Sequence, residues 1–526
     1  MKKIITIITA LTLVLTMVMP QEAAAWNSSS DIGQPSYPVV SLDGNKGGRS
    51  ITFWAPYGSD SAQIEYSRNS GFSSLSTAQA KLCGTVEGRD GHSGFYVYKA
   101  DLSGLADDYY YFRAVSIKDG VRSTGDTRRV LIGDGQAADQ ISFAYMGDAQ
   151  PGQDDDTYDI YRGLLDKVKS SSAELCIMGG DMVNDGQSAA EWENYMKAAT
   201  GGSDALPLMM VPGNHECNVE GSFKPAMYKV MTAQPQNGPR GFEGEFYSFD
   251  YGSCHFTMLN SDVFEQLGSG VTQADIDRVT AWIKSDLAAS KADWKIVVMH
   301  HPAFPVVSDN ISDKVRSAWA PVFESEKADI VFCGHQHVYM RTKPLLHKGT
   351  GTGYSVDEKN GVTYVMGVSG SKLYSDAPVS FAEIIQPGIS NYQLVTVSGM
   401  KMTVQSFGAD GSRLDGFTLA SKQAAPAPAP QPVKPALKLS RPRLKARLLK
   451  RRGRVRLYWK KVSKAKQYRI YRSRRKNRGY KLVKKTRACK WTSRKLKRKR
   501  RYYYRVRAYS GKVISPRSNT VSVRRR

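Results

Sequence analysis

The stretch Ile141-Ser-Phe-Ala-Tyr-Met-Gly-Asp-Ala-Gln150 decides the fold. Its first six residues read as a strand buried on both faces, and Gly147-Asp148 ends it abruptly. Ile160, Leu164, Leu165 and Val168 follow at helical spacing. Outward from there, apolar runs recur at 175–178, 208–211, 296–299 and 330–333, with helical patterns such as 275–287 between them. This alternation predicts an α/β core with helices on both faces of its sheets, completed by strands near 363–368, 393–397 and 401–406.

Each buried run is followed by a short polar motif. They are Gly147-Asp148-Ala149-Gln150, Gly180-Asp181, Gly213-Asn214-His215-Glu216, His300-His301-Pro302 and Gly334-His335-Gln336-His337. In open α/β sheets the ligand crevice lies at the carboxyl ends of the strands, so all five are expected on one rim. Five of the eight histidines of the chain lie in these motifs. Any one motif alone reads more readily as a turn or helix cap. Two carboxylates, an asparagine and several imidazoles on successive strand ends read instead as a metal site. Mixed nitrogen and oxygen donors suit zinc, iron or manganese.

On the N-terminal side, residues 36–135 show short alternating strands broken by Gly, Asn and Asp, the texture of a small β-sandwich. Lys2-Lys3, the apolar run 4–19 and Ala23-Ala-Ala25 read as a signal peptide over 1–25. With no second apolar run of spanning length, the mature chain is expected to carry no transmembrane segment and to be secreted, extracellular or wall-associated. On the C-terminal side, residues 139–421 hold the catalytic pattern and 422–435 form a Pro/Ala linker. Residues 436–526 return to alternation, as in Val455, Leu457 and Trp459, and so form a second sandwich. That segment carries 39 Lys and Arg and no acid, leaving 36 basic against all 48 acidic residues before it, a balance of −12. Such asymmetry points the tail toward an anionic partner. Six scattered cysteines exclude a dense disulfide scaffold, and Cys176 and Cys333 fall inside strand patterns as buried thiols.

The ordered motifs resemble the calcineurin-like metallophosphoesterase superfamily, and within it the purple acid phosphatases. Supporting matches are Phe246-Tyr-Ser-Phe-Asp-Tyr-Gly252, Trp294-Lys-Ile-Val-Val-Met-His300 and Arg341-Thr342. The segment from Asp101 to Arg113 is similar to the fibronectin-III-like domain preceding the catalytic domain in those enzymes, and the tail resembles a bacterial fibronectin-III-like module. The resemblance implies a four-layer α/β sandwich between two β-sandwiches, with two metal ions (Fe, Zn or Mn). By position it implies Asp148 and His337 on the first metal, Asp181 bridging, and Asn214, His300 and His335 on the second. It sets His215 beside the leaving group. His301 is a candidate phosphate contact.

Three positions depart from the purple enzymes. Asn184 stands where they carry a tyrosine, so no iron–tyrosinate colour is expected. Gln150 stands where many relatives have a histidine ligand, and either ligates through its amide oxygen or leaves the place to water. Asn310 stands where some have a second imidazole. The expected activity is hydrolysis of phosphomonoesters by metal-bound hydroxide, with no phosphoenzyme. A phosphodiesterase or nucleotidase is the alternative within the class, and an inactive envelope-binding protein the alternative outside it. An anionic cell-wall polymer such as teichoic acid is the expected partner of residues 436–526. Nucleic acid is the weaker reading, because the tail's aromatics fit a sandwich core as well as a base-stacking platform and the expected signal sends the chain outside the cell.

Overall fold

Thirteen strands of the central region form two stacked sheets, and the sequence of buried runs explains their order. The computed structural model describes residues 26–525, except 45–46, 137, 153–156, 218–223, 350–352, 376–377, 424–437, 450, 452 and 512. The expected signal peptide and nearly all of the expected linker lie outside the described residues. Among the described residues no helix is long and apolar enough to cross a membrane. The chain divides into two compact units, residues 1–425 and 426–526.

In the first unit, β1 (Ile141–Met146), β2 (Leu175–Met178) and β3 (Leu208–Met210) run parallel. The helices α1 (Asp159–Ser170) and α2 (Ala189–Ala199) connect them. The second sheet contains β4 (Tyr247–Tyr251), β5 (Cys254–Leu259), β6 (Trp294–Met299), β7 (Ile330–Cys333), β8 (Tyr339–Thr342), β9 (Thr363–Met366) and β10 (Ala382–Gln386). Its helices are α3 (Gln273–Ala289) and α4 (Asn310–Ser325). The chain then returns to the first sheet as β11 (Asn391–Ser398), β12 (Lys401–Gly408) and β13 (Arg413–Ala420), giving the orders β3-β2-β1-β11-β12-β13 and β4-β5-β6-β7-β9-β8-β10.

Three apolar clusters define four layers. One joins α1 and α2 to the first sheet through Met146, Leu164 and Trp192. A second fills the space between the sheets with Phe143, Tyr145, Phe256 and Phe332. A third joins α3 and α4 to the second sheet through Ile283, Trp319 and Val331. Fully burying side chains of this size stabilises the fold by about 1.5–3 kcal/mol each.

The helical spacing needs one correction. On α1 the buried face is Tyr161, Leu164, Leu165 and Val168, while Ile160 is 40% exposed. The i, i+3, i+4, i+7 stripe starts one residue later than the apolar residues alone suggest. The start of α3 follows a local rule. Thr272 and Asp275 form a reciprocal capping box at its start.

The N-terminal sandwich has one sheet built around Ser36–Leu42, Arg49–Pro56 and Gly94–Leu102, and another around Ser61–Ser67 and Asp108–Lys118. It begins earlier than expected, since Trp26–Ser28 pairs in parallel with Lys81–Gly88. It is also not independent. Trp26, Val39, Trp54 and Phe95 share a core with α1 and α2. Ser41 Oγ and Thr52 Oγ1 donate to the carbonyls of Ala233 (3.0 Å) and Met231 (2.8 Å).

The second unit is a sandwich of β14 (Lys445–Leu449), β15 (Arg454–Tyr458), β16 (Gln467–Ser473), β17 (Lys481–Thr486), β18 (Lys490–Thr492), β19 (Arg501–Ser510), β20 (Val513–Ile514) and β21 (Val521–Arg524). The sheets are β14-β15-β18 and β17-β16-β19-β20, with β21 also on β19. Val455, Leu457, Ile470, Tyr504 and Val506 form its core.

All six cysteines are free, and Cys176, Cys217, Cys254 and Cys333 are buried.

Candidate metal centre

Five loops leave the carboxyl ends of β1, β2, β3, β6 and β7 and meet at the mouth between the two sheets. The meeting is tight enough to require particular backbones. Asp148, Asp181, His335 and His337 all take positive φ, at 44°, 53°, 74° and 49°. Left-handed backbone is unfavourable for residues with a Cβ, and such strain clusters at functional sites. The glycines preceding the motif residues serve close approach. A Cβ on Gly213 would lie 2.1 Å from Asp181 Oδ1, and one on Gly334 would lie 2.3 Å from Asp148 Oδ2.

The donor atoms fall into two groups that share one residue. Asp148, Asp181 and His337 form one, and Asp181, His300 and His335 the other; within each group the atoms lie within 4.8 Å of one another. Asn214 completes the second, its Oδ1 lying 3.0 Å from His300 Nε2 and 3.1 Å from His335 Nδ1. Asp181 Oδ2 is 3.2 Å from His300 Nε2. Asp148 Oδ1 is 3.6 Å from His337 Nε2. The rings are aimed by carbonyls. His300 Nδ1–H donates to Gly179 O (2.9 Å) and His337 Nδ1–H to Lys372 O (2.7 Å), which frees both Nε2 atoms for the cluster.

Burial and mutual charge set the protonation. Burial lowers the His337 imidazole to about 3. Burial, with His300 next, lowers His335 to about 4. Burial also opposes charge on Asp181, but His300, His215 and His335 together outweigh it and hold that carboxyl below its usual range. Burial raises the Asp148 carboxyl, with the Asp181 charge adding to it. Burial opposes charge on His300 too, but the charge and hydrogen bond of Asp181 outweigh it and raise that imidazole to about 10, so His335 and His337 are neutral beside the ionised, shared carboxylate while His300 would give up a proton to a cation. The donor set fits two metal ions.

Gln150 occupies the edge of the first group. One of its amide atoms lies 3.4 Å from His337 Nε2 and 3.5 Å from Asp181 Oδ2. The other faces only acceptors, Val183 O at 3.0 Å and Asn184 Oδ1 at 3.2 Å, and is therefore the nitrogen. The oxygen thus faces the donor group, where Lys372 Nζ also lies 3.0 Å from it. The two sequence departures are one arrangement: Asn184 holds the amide of Gln150 in place.

His215 lies at the rim. Its Nδ1–H donates to Asn184 O (2.6 Å), its Nε2 is 3.9 Å from Asp181 Oδ2, and its side chain is 27% exposed. It is thereby more open than the buried donors around it. His301 is placed otherwise. Its Nδ1 pairs with Ser261 Oγ (3.0 Å), its ring packs 4.3 Å from that of His335, and it belongs with Asp262 and Glu265 rather than with either shared group. Burial, then His335 and His300, push it well below its ordinary range, so it is neutral.

Two residues of the site carry no role in the sequence reading. Glu216 accepts N–H bonds from Asp181 (2.9 Å), Met182 (2.8 Å), Val183 (3.2 Å) and Gly213 (2.8 Å), tying the β2 and β3 loops together. Its place in Gly213-Asn-His-Glu216 was the available signal. Lys372, on the loop after β9, gives none.

The four-layer αββα fold, with two donor groups sharing one carboxylate at the carboxyl ends of its strands, is the layout that the resemblance to metallophosphoesterases implies. Residues 130–339 match the family model for calcineurin-like phosphoesterase. Purple acid phosphatase 21 of Arabidopsis thaliana is 28% identical over 218 residues, which is 40% of this chain and 46% of that protein. An uncharacterised protein of Mycobacterium tuberculosis is 33% identical over 165 residues, 29% of this chain and 31% of its own length. The chain thus spans between about a third and a half of the length of these curated relatives. The solved purple acid phosphatase PPD1 from yellow lupin seeds shares the fold at a TM-score of 0.59 and 17% identity, over 75% of this chain and 77% of that one. PhoD does so at 0.52 and 14% identity, over 74% and 90%.

Proposed function

We propose that this chain is a secreted hydrolase of phosphomonoesters. The observation that carries the reading is the membership of Asp181 in both donor groups. Asp148, Asp181 and His337, with Gln150 as a further oxygen donor, would hold one cation; Asp181, Asn214, His300 and His335 would hold the second. When bound, such a pair supplies a nucleophile at neutral pH and neutralises charge on the phosphoryl oxygens.

The chain's own residues then do the rest. Asn184 O holds one proton of His215 on Nδ1, so that Nε2 at the open rim, when the ring carries its second proton there, donates it to the ester oxygen that departs. Glu216 keeps the β2 and β3 loops in register, so that Asp181 and Asn214 stay in reach of both groups. The Asn184 side chain supports Gln150 where a phenolate would otherwise stand, so the enzyme should be colourless. His301 packs behind His335 and serves to hold that ring. We further propose that residues 436–526 retain the enzyme at an anionic cell-wall polymer, in keeping with a segment of 39 cations and no acid.

The test is turnover of 4-nitrophenyl phosphate and of bis(4-nitrophenyl) phosphate by the full chain, with zinc, iron or manganese supplied. Faster turnover of the monoester, falling ~10³-fold or more in Asp181→Asn, is expected. A preference for the diester would make the chain a phosphodiesterase. No turnover with any of the metals would overturn the enzymatic reading.

A further inference from the structure

The outer face of the larger sheet in the second unit carries an arrangement that a solvated spacer does not need. In register across three neighbouring strands, Lys485 on β17 stands opposite Arg469 on β16, and Arg469 stands opposite Arg507 on β19. Directly opposed residues of antiparallel strands share a face, and like charges there are destabilising. No side-chain carboxylate within the unit can relieve them, because the last acidic residue before it is Asp415. The Nε atoms of Arg469 and Arg507 are buried and have no hydrogen-bond partner.

Beside this row lies a cavity of about 350 Å³ whose lining includes Tyr471, Arg478, Tyr480, Arg505, Arg507 and Arg517. One guanidinium of its lining, that of Arg505, and one in the adjoining row, that of Arg469, are held in place. Arg505 lies 4.2 Å above the Tyr480 ring and donates from Nε to Thr520 Oγ1 (2.8 Å) and from Nη2 to Lys476 O (3.3 Å). Arg469 lies 4.2 Å above the Tyr509 ring, whose hydroxyl pairs with that of Tyr471 at 2.9 Å. Rigid guanidinium forks match the oxygens of a phosphate group better than flexible ammonium groups do. Several forks around one cavity suit a tetrahedral anion with oxygens on every side. The row continuing across strands about 4.8 Å apart suits a chain of such anions rather than a single one. Stacking of bases is disfavoured, since Arg505 and Arg469 already cover the Tyr480 and Tyr509 rings.

We propose that this face is a binding track for a base-free phosphodiester polymer, with one phosphate seated among Arg478, Arg505, Arg507 and Arg517 and the next ones along the Lys485–Arg469–Arg507 row. The track deepens, and rests on, the retention role proposed for residues 436–526, and it is independent of the phosphatase reading.

The experiment measures fluorescence anisotropy of a labelled oligomer of abasic deoxyribose phosphates with the full chain. The probes for comparison are oligothymidylate of equal length and polyglutamate of equal charge. Arg505→Gln/Arg507→Gln should weaken binding at least ~10-fold, while removing two exposed cations elsewhere, Lys495→Gln/Lys497→Gln, should weaken it about 2-fold. Arg507→Lys, which keeps the charge and loses the fork and is therefore the milder change to the fold, should still weaken it several-fold. Polyglutamate should compete poorly, and oligothymidylate should bind no tighter than the abasic oligomer. Equal losses in the two double variants, or wild-type binding by Arg507→Lys, would sink the track while leaving diffuse retention standing. Clearly tighter binding of oligothymidylate would make the face a nucleic-acid reader instead. No binding by the wild-type chain would remove both the track and the retention role.

Discussion

The two units of this chain manage charge in opposite ways. In the first, charged side chains find partners inside the fold. Glu65 takes Arg113 and Arg122 at 2.8 Å each, Arg341 meets Asp415 at 2.6 Å, and His255 sits between Asp250 (2.7 Å) and Asp286 (2.9 Å). In the second, 39 cations have no acid among them. The first unit is therefore charge-organised by its own sequence and needs cations only at its centre. The second needs counter-charge from outside. Metal supply should govern the first unit, and salt or polyanion the second.

The sharpest way to separate them is Glu216→Gln. Replacing one of the two oxygens, each of which accepts from two backbone N–H groups, by an amide NH2 should reduce metal retention and turnover by about 10–100-fold while leaving polyanion binding unchanged. Metal content, kcat and anisotropy on one preparation check this. A parallel loss of polyanion binding would break the comparison.

A second, smaller effect concerns internal pairing. Burial disfavours the charged His255 imidazole, but hydrogen bonds and charge from Asp250 and Asp286 outweigh burial and raise it to about 9. A raised histidine contributes fully below its unfolded value near 6.5, and the contribution is lost as pH rises through about 9. Because Asp250 is largely exposed, the contribution is about 2 kcal/mol. His255→Gln should therefore destabilise the first unit toward urea near pH 6 and much less near pH 10. An equal loss at both would show that the pairing is not what the histidine provides.

The smallest effect separates cation from cation within the site. Lys372 Nζ competes for the Gln150 oxygen. Lys372→Met should tighten metal retention by ~3-fold, read by chelator titration, whereas weaker retention would mean that the lysine positions Gln150.

The strand-end donors were legible because a buried parallel strand is a continuous apolar run and its polar terminus is abrupt. Asp148, Asp181, Asn214, His300, His335 and His337 each stand within four residues of such an end, and the structure draws them together. Glu216 was visible as a motif letter but not as a role, since its four partners come from two loops. Lys372 was invisible, because it follows β9 with no pattern and meets Gln150 only through the crossing of separate loops. The pairing of Gln150 with Asn184 was likewise hidden, although each departure was evident alone. Within the fold, Trp26 lies ahead of the expected sandwich of residues 36–135, and Trp54 reads as an ordinary sandwich residue. Alternation says which side of a strand is buried, not that the far side of the core belongs to α1 and α2.

The most direct test of the account is the metal content of the purified full chain and of Asp181→Asn by mass spectrometry, after loading and removal of excess metal. The shared carboxylate predicts about two ions per wild-type chain and one or fewer in the variant. A single ion in both proteins, or two ions undisturbed by the substitution, would contradict a centre built on Asp181.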